Sequence, residues 1–195
     1  MPAHPPPVRL ALIPGSTREG RRGDAIVRWV CGQIAGEGPF LLDLLDIDEL
    51  DLPARHPGGP HASVSALRAR IADADAFLVV TPEYNRGYPA PLKQLIDLVG
   101  KEWRGKPVGF VSYGGISGGL RAVEQLRLVF AELHAATIRD GVAFANVWDQ
   151  FDEAGVLRDA DAAERAMATM LAQLHWWANT LRAGREAVPY GRFAA

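Results

Sequence analysis

The chain has 195 residues, a length that suits one domain with a full hydrophobic core. Hydrophobic residues make up 48% of it and charged residues 23%, and a formal net charge of −2 gives no basis for binding nucleic acid or a membrane surface. The one cysteine, Cys31, excludes an intramolecular disulfide framework and a multi-cysteine metal site.

Both ends of the chain are predicted to be tails. Residues 1–7 are rich in proline and lack the apolar core of a signal peptide, so we expect a disordered N-terminal tail. No apolar run has the length of a membrane span, and the cytoplasm is the expected location. We predict a single domain over residues 8–185 and a C-terminal tail over residues 186–195.

Apolar runs alternate with helical periodicity along this domain. Short apolar runs typical of buried strands occur at residues 8–13, 40–45, 76–80, 106–113 and 137–144. Apolar side chains spaced three and four residues apart predict helices at residues 26–34 (capped by Asp24), 64–71, 92–99, 123–133 and 167–181.

The alternation predicts an α/β domain with a doubly wound parallel sheet of five strands in the order 2-1-3-4-5. Such sheets bind ligands at the carboxyl ends of their strands where the order reverses, here between the first and third strands. Three segments follow strands at this edge: loop 1 (residues 14–23), loop 2 (residues 81–91) and loop 3 (residues 113–119).

Loop 1 has the composition of a phosphate site. It leads into a helix N-terminus, where main-chain N–H groups and the helix dipole favour an anion. Ser16 and Thr17 add hydroxyl donors, and Arg18 can bind a phosphate through two hydrogen bonds. The alternative is a flexible solvated turn, because glycine and serine are common in turns.

Loop 1 is not a nucleoside-triphosphate loop. Gly15 and Gly20 have the required spacing, but Arg21 and Arg22 stand where that motif needs Lys and Ser or Thr. The missing hydroxyl removes the magnesium ligand, which excludes an ATPase or GTPase of this class. The G-x-G-x-x-G dinucleotide fingerprint is absent as well.

Loop 2 and loop 3 suit a flat ligand with polar edges. In loop 2, Tyr84 and Tyr88 offer ring faces and Asn85 offers a donor and an acceptor, although a proline-rich surface loop with exposed tyrosines is the alternative. The glycines of loop 3 let the main chain approach a ligand closely, with N–H groups facing a developing negative charge.

The motifs in the three loops together resemble those of the NADPH-dependent FMN reductase family, which includes chromate and quinone reductases and azoreductase-like members. The matching segments are G-S-T-R at residues 15–18, T-P-E-Y-N at residues 81–85 followed by Pro89 and by Leu92–Lys93, and Y-G-G-x-S-G-G-x-R at residues 113–121. The resemblance extends from about Val8 to Phe144.

The resemblance implies a flavodoxin-like three-layer sandwich with bound FMN, and with NADPH or NADH as electron donor. It further implies a small-molecule acceptor (a quinone, chromate, an azo compound or free flavin), and a homodimer or homotetramer with FMN near a subunit interface. The residues implied in FMN binding are Ser16, Arg18, Arg21, Arg22 and Gly23 around the phosphate, Pro82, Glu83, Tyr84 and Asn85 along the isoalloxazine, and Tyr113, Gly114, Gly115, Ser117 and Gly118 at its other polar edge.

Some positions depart from the family pattern. Arg21 and Gly23 stand where many members carry a serine and an asparagine, so the phosphate contacts depend on Arg18, main-chain N–H groups and Arg21 or Arg22. Gly87 and Leu98 replace a usual serine and tryptophan. We name no catalytic side chain, because the flavin carries the chemistry in a ping-pong scheme. Arg21 and Arg22 are candidates for meeting the 2′-phosphate of NADPH.

Two other functions stay open from the sequence. Residues 115–119 match the G-x-S-x-G motif of serine hydrolases, with Ser117 as nucleophile, and Asp149, Asp152 and His175 follow in the chain order of a triad. His175 falls within a predicted helix, however, and an oxyanion motif is missing. A flavodoxin-type electron carrier, which is usually strongly acidic, is the second alternative. The sequence does not distinguish a reductase that releases reduced flavin to a partner monooxygenase from one that keeps its flavin bound.

Overall fold

A computed structural model describes residues 6–36 and 38–192, so residues 1–5 of the predicted N-terminal tail lie outside the described residues. The sheet has the strands β1 (Val8–Pro14), β2 (Phe40–Leu44), β3 (Ala76–Pro82), β4 (Pro107–Tyr113), β5 (Ala136–Thr137) and β6 (Val142–Phe144). Every pairing is parallel, and the order is β2-β1-β3-β4-β5, with β6 also paired to β4. The predicted class and strand order are confirmed.

Helices cover both faces of the sheet. They are α1 (Gly23–Gly36), α2 (Ala62–Asp73), α3 (Ala90–Leu98), α4 (Leu120–Glu132), the one-turn α5 (Val147–Gln150) and α6 (Asp161–Ala187), with a 3₁₀ turn at Lys101–Trp103. One core cluster packs α1 and α6 against the sheet, and a second packs α2, α3 and α4 against its other face. The fold is the predicted three-layer sandwich. Within the described chain, no helix is both long and apolar enough to cross a membrane.

The apolar pattern of the central strands follows from burial on both faces of the sheet. Leu10 and Leu12 of β1 enter the core on the α1 side, and the alternate residues Ala11 and Ile13 enter the opposite core. All residues of β3 and β4 are buried, which explains why these strands appear in the sequence as continuous apolar runs. The central strands therefore carry loops 1, 2 and 3 from a rigid platform at one edge.

The predicted fifth strand at residues 137–144 is two short strands. Thr137 pairs with Val108 and Val142 pairs with Val111, and the chain leaves the ladder between them. The guanidinium of Arg127 donates to the main-chain oxygens of Ile138 and Arg139 there, at 2.6 and 3.0 Å. These contacts from α4 bind the chain where it leaves the ladder, and the sheet has six strands where five were predicted.

The last helix extends past the predicted domain boundary. Helix α6 ends at Ala187, and beyond it the Tyr190 hydroxyl lies 3.1 Å from His134 Nδ1. A Cβ at Gly105 would lie 3.0 Å from the Tyr190 ring, so this residue is packed against the domain. The division into one domain and two tails stays a prediction.

Candidate functional site

Loops 1, 2 and 3 meet around a cleft of about 290 Å³ at the carboxyl edge of the sheet. Loop 1 contributes Arg18 and residues 20–22, loop 2 contributes residues 82–84, and loop 3 contributes residues 113–115. The start of α5, residues 147–148, forms the remaining wall. The structure therefore places the three loops where the strand order predicted a ligand site.

Loop 1 has main-chain donors that no described protein group accepts from, and two of them belong to residues that line this cleft, Gly20 and Arg22. Ser16 is buried, and its hydroxyl shares a hydrogen bond of 2.8 Å with the hydroxyl of Tyr84. Among the described residues, the main-chain N–H groups of Thr17, Gly20 and Arg22 find no protein acceptor. Unpaired main-chain donors just before a helix N-terminus are typical of sites that bind phosphate groups.

Arg18 adds a positive charge beside these donors. Its guanidinium carbon lies 4.3 Å from the centre of the Tyr84 ring, a cation–π contact that joins loop 1 to loop 2. Arg18 forms no ion pair with any described residue, and its side chain is exposed. A phosphate bound to loop 1 would therefore pair with the Arg18 guanidinium without displacing a carboxylate.

Arg21, by contrast, is bound within the protein. Its guanidinium donates to the carboxylate of Asp46, to the carboxylate of Asp24 at 2.7 Å and to the main-chain oxygen of Ser16. The hydrogen bond to Asp46 raises the pKa of Arg21 above its ordinary value, so the pair stays ionised. Arg22 is exposed and forms no ion pair in the described chain. Of the two arginines predicted to contact a phosphate, Arg22 is therefore the one available to bind it.

Gly23 makes room for a buried tyrosine. A Cβ at Gly23 would lie 2.6 Å from the hydroxyl oxygen of Tyr113, too close for any real side chain. Tyr113 is 5% exposed, and burial raises the pKa of its hydroxyl above the ordinary value. The Tyr113 side chain thus occupies the space that a side chain at position 23 would need.

Loop 2 contains a tight turn. Tyr84 and Gly87 exchange main-chain hydrogen bonds of 2.9 and 3.0 Å, and Asn85 and Arg86 have φ of 50° and 70°. These angles are those of a type I′ turn, in which asparagine tolerates the left-handed conformation. Asn85 is exposed at the turn, and Tyr88 packs against the core, so Tyr84 is the loop 2 tyrosine that lines the cleft.

Glu83 connects loop 2 to loop 3. Its side chain is 7% exposed, and its carboxylate accepts hydrogen bonds from Ser117 Oγ at 2.7 Å and from Arg121 N and Nη1 at 3.1 and 2.9 Å. Burial alone would raise the pKa of Glu83, but the hydrogen bonds from Ser117 and Arg121 outweigh it and lower the pKa. The carboxylate is therefore ionised and turned toward loop 3.

Loop 3 leaves a second set of donors open. Within the described residues, the N–H groups of Gly115, Ile116 and Ser117 donate to no protein acceptor. The loop turns back at Gly119, whose φ of 86° and whose Cβ position, 2.7 Å from Tyr113 N, both require glycine. Three consecutive open amides suit an oxygen- or nitrogen-rich ligand edge that carries negative charge.

Helix α5 supplies a wall that the sequence analysis missed. Val147 N donates to Gly114 O at 3.0 Å, and the Trp148 ring reaches within 3.6 Å of a Cβ position at Gly115. Trp148 remains 54% exposed, a large aromatic surface facing the cleft. The strand order could have predicted this wall, because the residues that follow the fifth strand of a parallel sheet lie at the same edge as the other loops.

The side chains of the predicted hydrolase triad do not meet. Ser117 donates to Glu83, whereas His175 stacks edge-on against Phe40 at 5.8 Å and contacts Asn179. His175 thus lies beside the edge strand β2, and loop 3 follows the interior strand β4. Among the described residues, no group of three histidine, cysteine or carboxylate side chains could hold a metal ion.

The donor set fits FMN. Open amides and Arg18 on loop 1 match a phosphate, Tyr84 and Trp148 provide aromatic walls for a flat ring, and the open amides of loop 3 match the polar edge of that ring.

Comparison with known proteins gives the same family as the motifs. Residues 8–149 match the family profile described as NADPH-dependent FMN reductase. An NAD(P)H-dependent FMN reductase of Schizosaccharomyces pombe is 38% identical over 120 residues, which are 57% of this chain and 60% of that protein. An NAD(P)H:quinone oxidoreductase of Solanum tuberosum is 34% identical over 86% of this chain and 91% of its own length.

A solved structure extends the similarity to the fold. The flavoenzyme FerB of Paracoccus denitrificans, an NAD(P)H:(acceptor) oxidoreductase, superposes with a TM-score of 0.70 at 24% identity, over 89% of this chain and 98% of FerB. The chain spans about three fifths of the Schizosaccharomyces relative and nine tenths of the Solanum relative. The chain belongs to the NADPH-dependent FMN reductase family.

Proposed function

We propose that the protein is an NAD(P)H-dependent oxidoreductase that binds FMN in the cleft between loops 1, 2 and 3 and passes electrons to a small acceptor. The observation that supports it most directly is one cleft lined by Arg18, Gly20 and Arg22 of loop 1 and by Gly115 of loop 3, where the main-chain N–H groups of Gly20, Arg22 and Gly115 have no protein acceptor among the described residues. The relatives named as FMN reductase and quinone oxidoreductase support this activity.

In this proposal the residues bind and orient the cofactor. Ser16 and Arg18 hold the phosphate together with the loop 1 amides, and residues 82–85 lie along the ring. Residues 113–118 border its other polar edge, where the N–H groups of residues 115–117 stabilise negative charge. FMN bound here would supply the redox chemistry of a ping-pong scheme between the nicotinamide donor and the acceptor.

The donor preference depends on Arg22. Arg21 is bound to Asp46 and Asp24, so its guanidinium has little capacity left for a 2′-phosphate. Arg22 lies at the mouth of the same cleft, exposed and without a carboxylate partner among the described residues. We therefore assign the preference for NADPH over NADH to Arg22.

An anaerobic visible spectrum tests the function. Purified protein is loaded with FMN, NADPH is added, and a quinone follows. The proposal expects a bound-flavin spectrum that bleaches with NADPH and returns with the quinone. Bleaching without any second protein excludes a flavodoxin-type electron carrier. A protein that fails to bind FMN overturns the proposal, and flavin that binds but stays oxidised favours the carrier.

The assembly is proposed from exposed apolar side chains at the rim of the cleft. Ile116, Leu120 and Trp148 are 84%, 55% and 54% exposed, and all three lie on loop 3, on the start of α4 or on α5. A second copy of the chain that covers this rim would bury them and place the cofactor near a subunit interface. We therefore propose a homodimer or homotetramer, located in the cytoplasm where its nucleotide donor is available.

A further inference from the structure

Among the described residues, Glu83 is the one carboxylate that lines the proposed FMN cleft, and its oxygens accept hydrogen bonds from loop 3 and α4. Oε2 accepts from Ser117 Oγ and from Arg121 N, and Oε1 accepts from Arg121 Nη1. The main-chain N–H of Glu83 also donates to Tyr113 O at 2.9 Å. The residue thus ties the end of β3 to both ends of loop 3.

The side chain holds loop 3 in a way that spares its amides. Ser117 is tied through its hydroxyl, and Arg121 through its side chain and the N-terminal amide of α4, where a carboxylate is favoured by the helix dipole. The N–H groups of residues 115–117 remain without protein acceptors among the described residues. A loop fastened through its own main-chain donors would have none left for a ligand.

We propose that Glu83 is a positioning residue whose carboxylate sets FMN affinity and reduction potential by anchoring Ser117, without that carboxylate contacting the flavin. The inference rests on the proposed function, because the open amides have a role only if FMN binds the cleft. Its physical basis is preorganisation: donors fixed before reduction stabilise the negative charge that reduction adds to the ring.

A double-mutant cycle tests the anchor. Glu83→Ala and Ser117→Ala each break the same hydrogen bond, so each is expected to weaken FMN binding by about tenfold or more. Glu83→Ala also loses the bonds to Arg121, so the double variant is expected to bind no more weakly than Glu83→Ala alone. Glu83→Gln keeps an oxygen that can accept from Ser117 and is expected to restore most of the affinity. Glu124→Gln removes an exposed carboxylate on α4 and is the matched control, with wild-type affinity.

The reduction potential of bound FMN distinguishes an anchoring role of Glu83 from an effect of its charge alone. Ser117→Ala changes no charge, so if the anchor matters its bound FMN has a more negative midpoint potential than in the wild type. A role for Glu83 through charge alone predicts an unchanged potential in Ser117→Ala and a raised one in Glu83→Gln. If the Ser117 hydroxyl contacts the flavin directly instead of serving as the anchor, Glu83→Ala binds FMN normally, which also overturns the proposal.

Wild-type titration keeps this test apart from the proposed function. If the wild-type protein binds no FMN, the function itself fails. If it binds FMN and Ser117→Ala matches it in affinity and potential, the positioning role fails alone. Thermal unfolding of each variant confirms a folded protein. Should Glu83→Ala not fold, Ser117→Ala and Glu83→Gln still decide the question.

Discussion

Arg18 lies at the mouth of the cleft, with its charge unpaired among the described residues and its guanidinium over the Tyr84 ring. We predict that Arg18→Gln raises the Kd for FMN by about tenfold or more, because a charge-assisted hydrogen bond to the phosphate is lost. Riboflavin, which lacks the phosphate, is the internal comparison, and its affinity is expected to stay the same. Equal weakening of both ligands would show that Arg18 does not meet the phosphate. Arg28→Gln on α1 is the matched control.

Arg22 gives the second residue-level prediction. Arg22→Gln is expected to raise KM for NADPH by about tenfold while KM for NADH changes little, because the 2′-phosphate alone distinguishes the two donors. Steady-state rates with both nucleotides and one quinone measure this. Arg21→Gln serves as a contrast, since loss of its bonds to Asp46 and Asp24 should lower stability and affect both donors alike. An equal rise in KM for NADPH and for NADH in Arg22→Gln would show that Arg22 does not recognise the 2′-phosphate.

Gly23 and Tyr113 form a pair that a thermodynamic cycle can measure. Gly23→Ala forces a Cβ against the Tyr113 hydroxyl, at 2.6 Å without relaxation, and is expected to cost about 1–3 kcal/mol of folding stability. Tyr113→Phe removes that oxygen, so the double variant should recover most of the loss relative to Tyr113→Phe alone. Urea unfolding of the four proteins gives the coupling. If the two substitutions had additive effects on the free energy of unfolding, the main chain would have moved to relieve the contact with the Tyr113 hydroxyl.

At the level of secondary structure, a buried lysine caps a helix. Lys106 is 6% exposed, and its Nζ donates to Ile71 O and Ala72 O at 2.7 Å, near the end of α2. Burial lowers the pKa of Lys106 from 10.5 to about 8. Between pH 8 and 10.5 the unfolded chain therefore binds more protons than the folded one, so stability rises with pH across this window.

This linkage predicts a measurable slope. The free energy of unfolding should increase by an amount on the order of 2–3 kcal/mol between pH 7.5 and the upper end of the window. Above about pH 10 the raised pKa of Tyr113 acts in the opposite direction, so pH 7.5 and 9.5 are the informative points. Lys106→Met should flatten the slope, and the exposed Lys101→Met should keep it. An unchanged slope in Lys106→Met would refute the assignment.

Secondary structure also shows where sequence patterns reach their limit. Helices α2, α3 and α4 were predictable because their buried residues repeat at helical spacing. The break between β5 and β6 was not, because the side chain that holds its carbonyls, Arg127, belongs to α4. Residues 137–144 alone carry the apolar character of one strand, and the partner decides how many of them join the ladder.

For the whole molecule, the exposed rim of the cleft predicts self-association. We expect Leu120→Lys to shift the protein toward a smaller species in sedimentation or light scattering, because a charge on the first turn of α4 opposes burial of the rim. Val156→Lys, at a residue 60% exposed but away from loop 3, is the control. A wild-type monomer, or an unchanged size in Leu120→Lys, would locate any interface elsewhere.

The sequence by itself determined the fold class, the strand order and the edge where loops 1, 2 and 3 meet, because periodicity and glycine- and proline-rich turns are local properties. Only the tertiary structure decided what each side chain does there. Arg21 is bound to Asp46, 25 residues away, Glu83 holds Ser117, 34 residues away, and Trp148 joins the cleft from beyond the last strand. These residues are remote in sequence from the groups that they meet, and only the folded sheet brings them together.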